Sequence, residues 1–189
     1  TNDDSPDFFG PGFSVFNAFN PHSTLIPWNR SNGVTSSIST PGYSSQIFKG
    51  MGSFYLLDGD IDITGNADVA MYARLGEIGG SRAETIQIME SMFELALNKD
   101  ELELEELLGT TFASSMDMQL QDIQALSRVV NREIPLVLEV NRAIDILQAL
   151  RLKNDYDLEL VLMSVEEASL VLDQILASGA SVIIDPMDN

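Results

Sequence analysis

The sequence contains no cysteine and a single histidine, His22. The absence of cysteine excludes disulfides, thiolate metal sites and cysteine nucleophiles, although it does not identify the compartment. One histidine cannot build both a catalytic triad and a metal site, and His22, in a polar stretch after a proline, is expected in an exposed loop. No window approaches the roughly 20 apolar residues that a membrane-spanning helix requires, so no membrane insertion is expected.

Basic residues are scarce, with 10 Lys and Arg against 29 Asp and Glu and a formal net charge of -19. Such a chain repels a phosphate backbone and shows no basic run that would release counterions from it. Nucleic acid and anionic membranes are therefore poor partners. The remaining composition, 44% hydrophobic and 21% charged over 189 residues, is ordinary for one globular domain with a sizeable core.

The two ends of the chain suggest an excised or processed piece of a longer protein. It begins with Thr1 and not with methionine, and it ends directly after an apolar run, where an open sheet or barrel would continue. Residues 1–23, rich in proline, glycine and phenylalanine, are expected to form a mostly irregular segment. Residues 24–189 are expected to form a single domain.

The last third of the chain carries the clearest structural pattern. Apolar runs at 134–140, 158–163 and 182–184 alternate with amphipathic helical patterns at about 142–153 and 165–178. Strands spaced about 20 to 25 residues apart by helices predict parallel pairing through right-handed crossovers, an α/β architecture of barrel or doubly wound type. In both architectures the functional groups lie at the carboxyl ends of the strands. The residues at those positions are Glu139, Asn141, Ser164 and Asp185.

The first half predicts a β-hairpin followed by helices. A β-prone run at 33–40 ends at a Pro-Gly turn, and Asp58-Gly59 separates two strand-like runs. Ser81 and Glu84 form a capping-box pattern at a helix start. The two strand-like runs are 53–57 and 60–64, and the predicted helices are 67–74, 81–98, about 102–108 and about 116–130.

Two possible ligand-binding motifs fail their own requirements. The alternating acids from Asp58 to Asp62 invite a calcium-loop interpretation, but the required glycine and glutamate are replaced by Ile63 and Val69. The glycine-containing stretch from Lys49 to Ser53 lacks the following helix that a phosphate-binding loop requires.

Glu139 stands near the end of an otherwise apolar strand. A buried carboxylate there must be paired, protonated or bound to a metal. One interpretation is an ion pair with Arg142 or Arg151, and the other is a metal ligand. The sequence leaves both open.

Several short motifs, in this order and spacing, resemble the imidazolonepropionase-like branch of the amidohydrolase superfamily, over nearly the whole chain after about residue 13. They are Asn20-Pro21, Ser23 to Pro27, Arg30 to Thr35, Leu57 to Gly59, Ile134-Pro135, Asn141 to Ile146 and Val182 to Pro186. The resemblance implies a partial (β/α)₈ TIM barrel from a metal-dependent hydrolase acting on carbon-nitrogen bonds of a small-molecule substrate. It implies a divalent metal, zinc or iron, that activates water.

The resemblance also implies where the metal ligands should be. That family holds its metal with a His-x-His pair on the first strand, histidines on the fifth and sixth and an aspartate on the eighth, whereas this chain would start after the first strand and stop around the seventh. Glu139 falls at the fifth-strand histidine and Ser164 near the sixth. A carboxylate can still bind zinc or iron, whereas serine is a poor replacement. Glu139 is therefore the candidate metal ligand, and Asn141, Arg142, Ser164 and Asp185 are candidate pocket residues.

Three functional hypotheses follow. The first is a fragment of an amidohydrolase-like enzyme, inactive alone, whose open sheet edges could form a homo-oligomer. The second, supported by the missing histidines, is a non-catalytic homologue that serves as a binding or structural module. The third, an unrelated doubly wound binding domain, fits the periodicity but not the first half. Many relatives look exported, so the resemblance also suggests export.

Overall fold

The chain forms one mixed sheet whose strands lie side by side in the order of the sequence. The computed structural model describes residues 10–42, 46–60, 64–76, 81–100 and 108–184. The strands are β1 (Ser36–Ser39), β2 (Phe48–Leu56), β3 (Gly65–Arg74), β4 (Leu136–Val140), β5 (Leu160–Ser164) and β6 (Ser181–Ile183). The helices are α1 (Leu25–Ser31), α2 (Arg82–Leu97), α3 (Thr111–Ser115), α4 (Leu120–Val130), α5 (Ala143–Asp155) and α6 (Leu172–Ser178), and short 3-10 turns occur at Phe16–Ala18, Asn98–Asp100 and Ala168–Leu170.

The direction of strand pairing changes at β3. The strands β1, β2 and β3 pair antiparallel, whereas β3, β4, β5 and β6 pair parallel. The parallel half confirms the arrangement predicted from the alternating apolar runs and helices. The sheet curls into a six-stranded half-barrel, so a partial barrel is the architecture at this coarse level.

The two faces of the sheet have different coverings. One face packs against helices, and the side chains of the sheet and the helices together form the main core, in which Met71, Phe93, Leu126, Leu138 and Leu162 are fully buried. The opposite face carries a second, smaller cluster. It consists of Ala70, Tyr72 and Val137, with Val161 and Met163 packed against it.

The segment 67–74, predicted as a helix, is most of strand β3. Its alanine and methionine residues favour helix locally, but the segment pairs with β2 on one side and β4 on the other. Ala70 and Tyr72 are buried on one face, Met71 and Ala73 on the other. A strand buried on both faces shows no alternation of apolar and polar residues, so its period is lost from the sequence.

Two predicted helices have different boundaries in the structure. The predicted helix 116–130 begins only at Leu120, as α4, because Asp117 has a positive φ of 51° and the Asp122 carboxylate accepts a hydrogen bond from the Gln119 N–H at the helix start. The predicted helix 165–178 begins only with a 3-10 turn, because Ser164 and Val165 both have positive φ. The helix 25–31 was not predicted at all.

Other expectations are confirmed or lie outside the described residues. Ser81 caps α2, its Oγ accepting the Glu84 N–H at 3.3 Å, and Gly179 ends α6 at φ 66°. The hairpin joins β2 to β3, but its second strand starts at Gly65 and not at residue 60. Residues 1–9, 61–63 and 101–107 lie outside the described part, with most of the predicted helix 102–108. None of the described helices is long and apolar enough to cross a membrane.

Candidate functional site

The carboxyl ends of β3, β4 and β5 meet at one edge of the sheet. Arg74 is the register partner of Glu139, and Glu139 is the partner of Met163. The next row pairs Val140 with Ser164. Parallel pairing therefore brings Glu139 and Ser164 to the same edge, as the sequence predicted.

Glu139 lies between two cationic side chains. Its Oε2 is 2.5 Å from Lys49 Nζ, and its Oε1 is 3.8 Å from Arg74 Nε. The expectation that its partner would be Arg142 or Arg151 is wrong. Because the segment before Arg74 is a strand, Arg74 stands beside Glu139, whereas Arg151 pairs with Glu90 and Asp155.

Lys49 reaches Glu139 because of an irregularity in β2. The register of β2 against β3 shifts between Phe48 and Gly50, so Lys49 is the extra residue. Its side chain is 13% exposed and that of Glu139 is 23% exposed. The ion pair is therefore shielded from solvent on most sides, where charge pairs are screened less than at the surface.

A cavity of about 230 Å³ opens beside this ion pair. It lies between the carboxyl ends of β3 and β4 and the first turns of α2 and α5. Its polar lining consists of three arginines, two carboxylates and one amide: Arg74, Arg82, Arg142, Glu139, Asp145 and Asn141. The structure thus brings together three predicted site residues, Glu139, Asn141 and Arg142.

Two polar atoms of the cavity lack hydrogen-bond partners within the described residues. They are Asn141 Oδ1 and Arg82 Nε, both buried. Arg82 Nε lies 3.3 Å from Asp145 Oδ1, close enough for an ion pair but without hydrogen-bond geometry. Buried polar atoms without partners are uncommon in folded proteins, because each loses its hydration without replacement.

The remaining predicted site residues do not line this cavity. Ser164 ends β5 with φ 75° and is partly buried, but it is not among the lining residues. Asp185 lies outside the described residues. His22 is exposed, as expected, in a turn where its backbone N–H donates to Asn20 Oδ1.

The donor set of the described residues does not fit a metal ion. Among residues 10–42, 46–60, 64–76, 81–100 and 108–184, no group of three or more His, Asp or Glu side chains could hold one. The Glu139 carboxylate faces Lys49 and Arg74, and those cations compete with a metal for its oxygens. The role of Glu139 as a metal ligand stays a prediction.

Four residues of the site were missed by the sequence reasoning: Lys49, Arg74, Arg82 and Asp145. A signal existed for two of them. The capping box at Ser81 marks a helix start, and a strand interpretation of 67–74 would have put Arg74 and Arg82 at the edge of the sheet. Asp145 lies in the first turn of α5, where a carboxylate also favours the helix dipole.

A larger cavity, of about 630 Å³, lies on the helical side of the protein. Glu90, Glu94 and Tyr156 are among its lining residues. The Tyr156 hydroxyl donates to Glu94 Oε1 at 3.1 Å, and burial with this bond and the nearby carboxylates raises the pKa of Tyr156 to about 12. This cavity contains none of the predicted site residues.

The fold is similar to that of a solved protein. The crystal structure of an amidohydrolase from Thermotoga maritima MSB8 matches with a TM-score of 0.77 and 23% sequence identity, over 98% of this chain and 51% of that chain. This chain therefore has an amidohydrolase-like fold, and it spans about half the length of the amidohydrolase it matches. No protein-family model and no curated protein sequence matches it.

Proposed function

We propose that this chain is part of an amidohydrolase-like enzyme that hydrolyses carbon-nitrogen bonds in small molecules, either non-peptide or dipeptide-like amides. The observation that carries the proposal is the fold likeness over 98% of the chain. The cavity at the carboxyl ends of β3 and β4 supports it, because enzymes with this type of barrel hold their substrates at that edge. The imidazolonepropionase-like branch remains the proposed one, on the motifs of the sequence.

The proposed enzyme requires a divalent metal, zinc or iron, which would activate the attacking water. Glu139 is the one ligand that the described residues would contribute, since they contain no complete donor group. The other ligands would come from outside the described part. On this proposal the segment alone is inactive.

The chain's own residues would bind and orient the substrate. Arg82 and Arg142 line the cavity and would attract negative charge, and Asn141 Oδ1, which has no partner among the described residues, would accept a hydrogen bond from the substrate. Tyr72 and Val137 lie one pleat below Arg74 and Glu139 on the same face of the sheet.

A second candidate is a non-catalytic homologue that acts as a binding or structural module. The observation that favours it is the engagement of Glu139 by Lys49 and Arg74 where a metal ligand was expected. Such a protein would keep the cavity and bind a ligand there without turning it over.

Metal content of the intact parent protein separates the two candidates. Elemental analysis of the purified wild type is compared with Glu139→Ala and with Glu159→Ala, an exposed glutamate before β5 that serves as the control. Stoichiometric zinc or iron that Glu139→Ala reduces and Glu159→Ala does not, with amide hydrolysis, supports the enzyme. A metal-free parent without hydrolytic activity overturns it and favours the binding module.

A further inference from the structure

The start of α5 carries three of the six polar residues that line the 230 Å³ cavity. Asn141 and Arg142 come just before the helix, and Asp145 lies in its first turn. The direction in which these side chains point depends on how the backbone enters the helix. The backbone at the start of α5 therefore orients half of the polar lining.

The residues at the start of α5 do not cap this helix within the described part of the chain. Arg142 is the residue before the helix, and its side chain makes no capping hydrogen bond. Asn141 is of a residue type that often caps helices, but its buried Oδ1 has no partner among the described residues. The Asp145 carboxylate lies 3.3 Å from Arg82 Nε. The first N–H groups of α5 therefore need an acceptor from another part of the chain or from water.

Glu167 provides such an acceptor from the loop that follows β5. Its Oε2 accepts the Ala143 N–H at 2.8 Å, from a position 24 residues further along the chain. Its own backbone N–H donates to the Asn141 carbonyl oxygen at 2.9 Å. A carboxylate at this end of a helix is also stabilised by the helix dipole. Glu167 thus holds Arg142 from both sides, through the carbonyl group before it and the N–H group after it.

Glu167 reaches α5 because the chain turns sharply at the end of β5. Ser164 and Val165 have φ angles of 75° and 42°, in the left-handed region. A β-branched residue rarely adopts that conformation, so its surroundings must hold Val165 there. Val165 is buried, and its N–H donates to the Val140 carbonyl oxygen at 2.8 Å. These contacts fix the loop after β5 against the end of β4.

We propose that Glu167 is a positioning residue of the cavity, which fixes the backbone at 141–143 and so orients Asn141 and Arg142 toward a ligand. The inference deepens the proposed function and rests on it only in calling that ligand a substrate. Glu167 is not among the residues that line the cavity. Its effect on a ligand therefore passes through Asn141 and Arg142.

NMR spectroscopy on the full chain tests the proposal at the backbone amides of residues 141–143. Glu167→Ala removes the acceptor, whereas Glu167→Gln keeps a carbonyl oxygen in the side chain and serves as the conservative variant. Glu167 is exposed, so both replacements leave the core intact. Glu166→Ala is the matched control, because Glu166 is the adjacent glutamate and is also exposed.

Glu167→Ala should accelerate hydrogen exchange of the Ala143 amide about tenfold, because the amide loses its hydrogen bond to a charged acceptor. The amides of Asn141 and Arg142 should become less ordered in relaxation measurements, whereas the amide of Arg82, which also lines the cavity, should not. A glutamate that only stabilised the fold would lower the urea midpoint without this local pattern.

The two other variants separate the acceptor from the general effect of a substitution. Glu167→Gln should restore the exchange and the order in part, and Glu166→Ala should leave both as in the wild type. In a parent protein that hydrolyses an amide, Glu167→Ala should lower kcat/KM about tenfold, and Glu167→Gln should lower it less, because displaced binding groups hold the substrate in a poorer orientation.

Unchanged exchange at Ala143 in the Glu167→Ala variant, or unchanged order at Asn141 and Arg142, would overturn the proposal. An equal effect of Glu166→Ala would do the same, as would an unchanged kcat/KM of Glu167→Ala in an active parent. An inactive parent defeats the proposed function alone, because the amide measurements decide the positioning role without any turnover.

Discussion

Lys49 and Glu139 are ninety residues apart in the chain, yet Lys49 Nζ lies 2.5 Å from Glu139 Oε2. The contact joins β2 to β4 past the intervening β3 and so connects the antiparallel half of the sheet to the parallel half. Because both side chains are mostly buried, neither charge is fully hydrated once the other is removed.

Lys49→Met keeps the apolar stem but leaves Glu139 with Arg74 at 3.8 Å as its remaining cation. We expect a loss of about 1 to 3 kcal/mol in the free energy of unfolding, because a partly buried carboxylate loses its main partner. Urea denaturation measures it. The double variant Lys49→Met with Glu139→Gln should recover part of the loss, and a change below about 0.5 kcal/mol in the single variant would show that the pair behaves like a surface pair.

Gly50 adopts φ 116°, and a Cβ built on it would stand 2.6 Å from the Phe13 carbonyl oxygen. That oxygen accepts the Met51 N–H at 2.7 Å and holds the N-terminal segment against β2. We expect Gly50→Ala to destabilise the fold by about 3 kcal/mol, through backbone strain and the clash together. Thermal unfolding measures the change.

Gly33→Ala is the matched control for this substitution. Gly33 also has positive φ, 89°, but nothing lies within 4 Å of its added Cβ. We expect Gly33→Ala to lower the free energy of unfolding by only about 1 kcal/mol, because the backbone is strained but no atom clashes. Equal losses in the two variants would mean that the contact with Phe13 is not part of the native structure.

Tyr156 makes the free energy of unfolding depend on pH in the alkaline range. The pKa of Tyr156 is raised from 10.0 to about 12 in the folded protein, first by burial and then by its bond to Glu94. The stabilising contribution is fully present below pH 10, the ordinary pKa, and is lost as the pH rises toward 12. Tyr156→Phe should flatten the fall in the urea midpoint between pH 10 and 12, and an unchanged slope would contradict this assignment.

The β6 edge should promote self-association. Within the described part, β6 pairs with β5 alone, and apolar side chains around it are exposed: Leu172, Leu176, Val182, Ile183 and Ile184. Unpaired edges beside apolar surface favour pairing with another chain. We expect concentration-dependent dimers in sedimentation equilibrium, weakened by Leu176→Glu and not by Leu25→Glu on α1. A monomer at every concentration would refute the expectation.

The parallel half of the fold was predictable because its strands are short apolar runs separated by clear helical stripes. The β3 segment was not, because its residues are buried on both faces and favour helix locally. Its identity as a strand depends on β2 and β4, which are distant in the chain. Pairing with β2 and β4 therefore makes this segment a strand, although its residues locally favour a helix.

Only the site residues at the end of β4 could be predicted from the sequence. Glu139, Asn141 and Arg142 follow from the end of β4, and the structure brings them to one cavity. Lys49 depends on a one-residue register shift in β2, and Arg82 depends on where β3 ends. The register shift has no sequence signature of its own, and the capping box at Ser81 locates Arg82 only once the segment before it is known to be a strand.

The order of the strands bears on how the protein is made. The described sheet follows the chain from β1 to β6, so each strand that leaves the ribosome finds its neighbour already synthesised. No strand has to insert between two earlier ones. The longest interval separates β3 from β4, and during it all three strands of the antiparallel part have been synthesised, whereas the strand that pairs with the other side of β3 has not. Synthesis and folding can therefore proceed in the same direction, from the amino end to the carboxyl end.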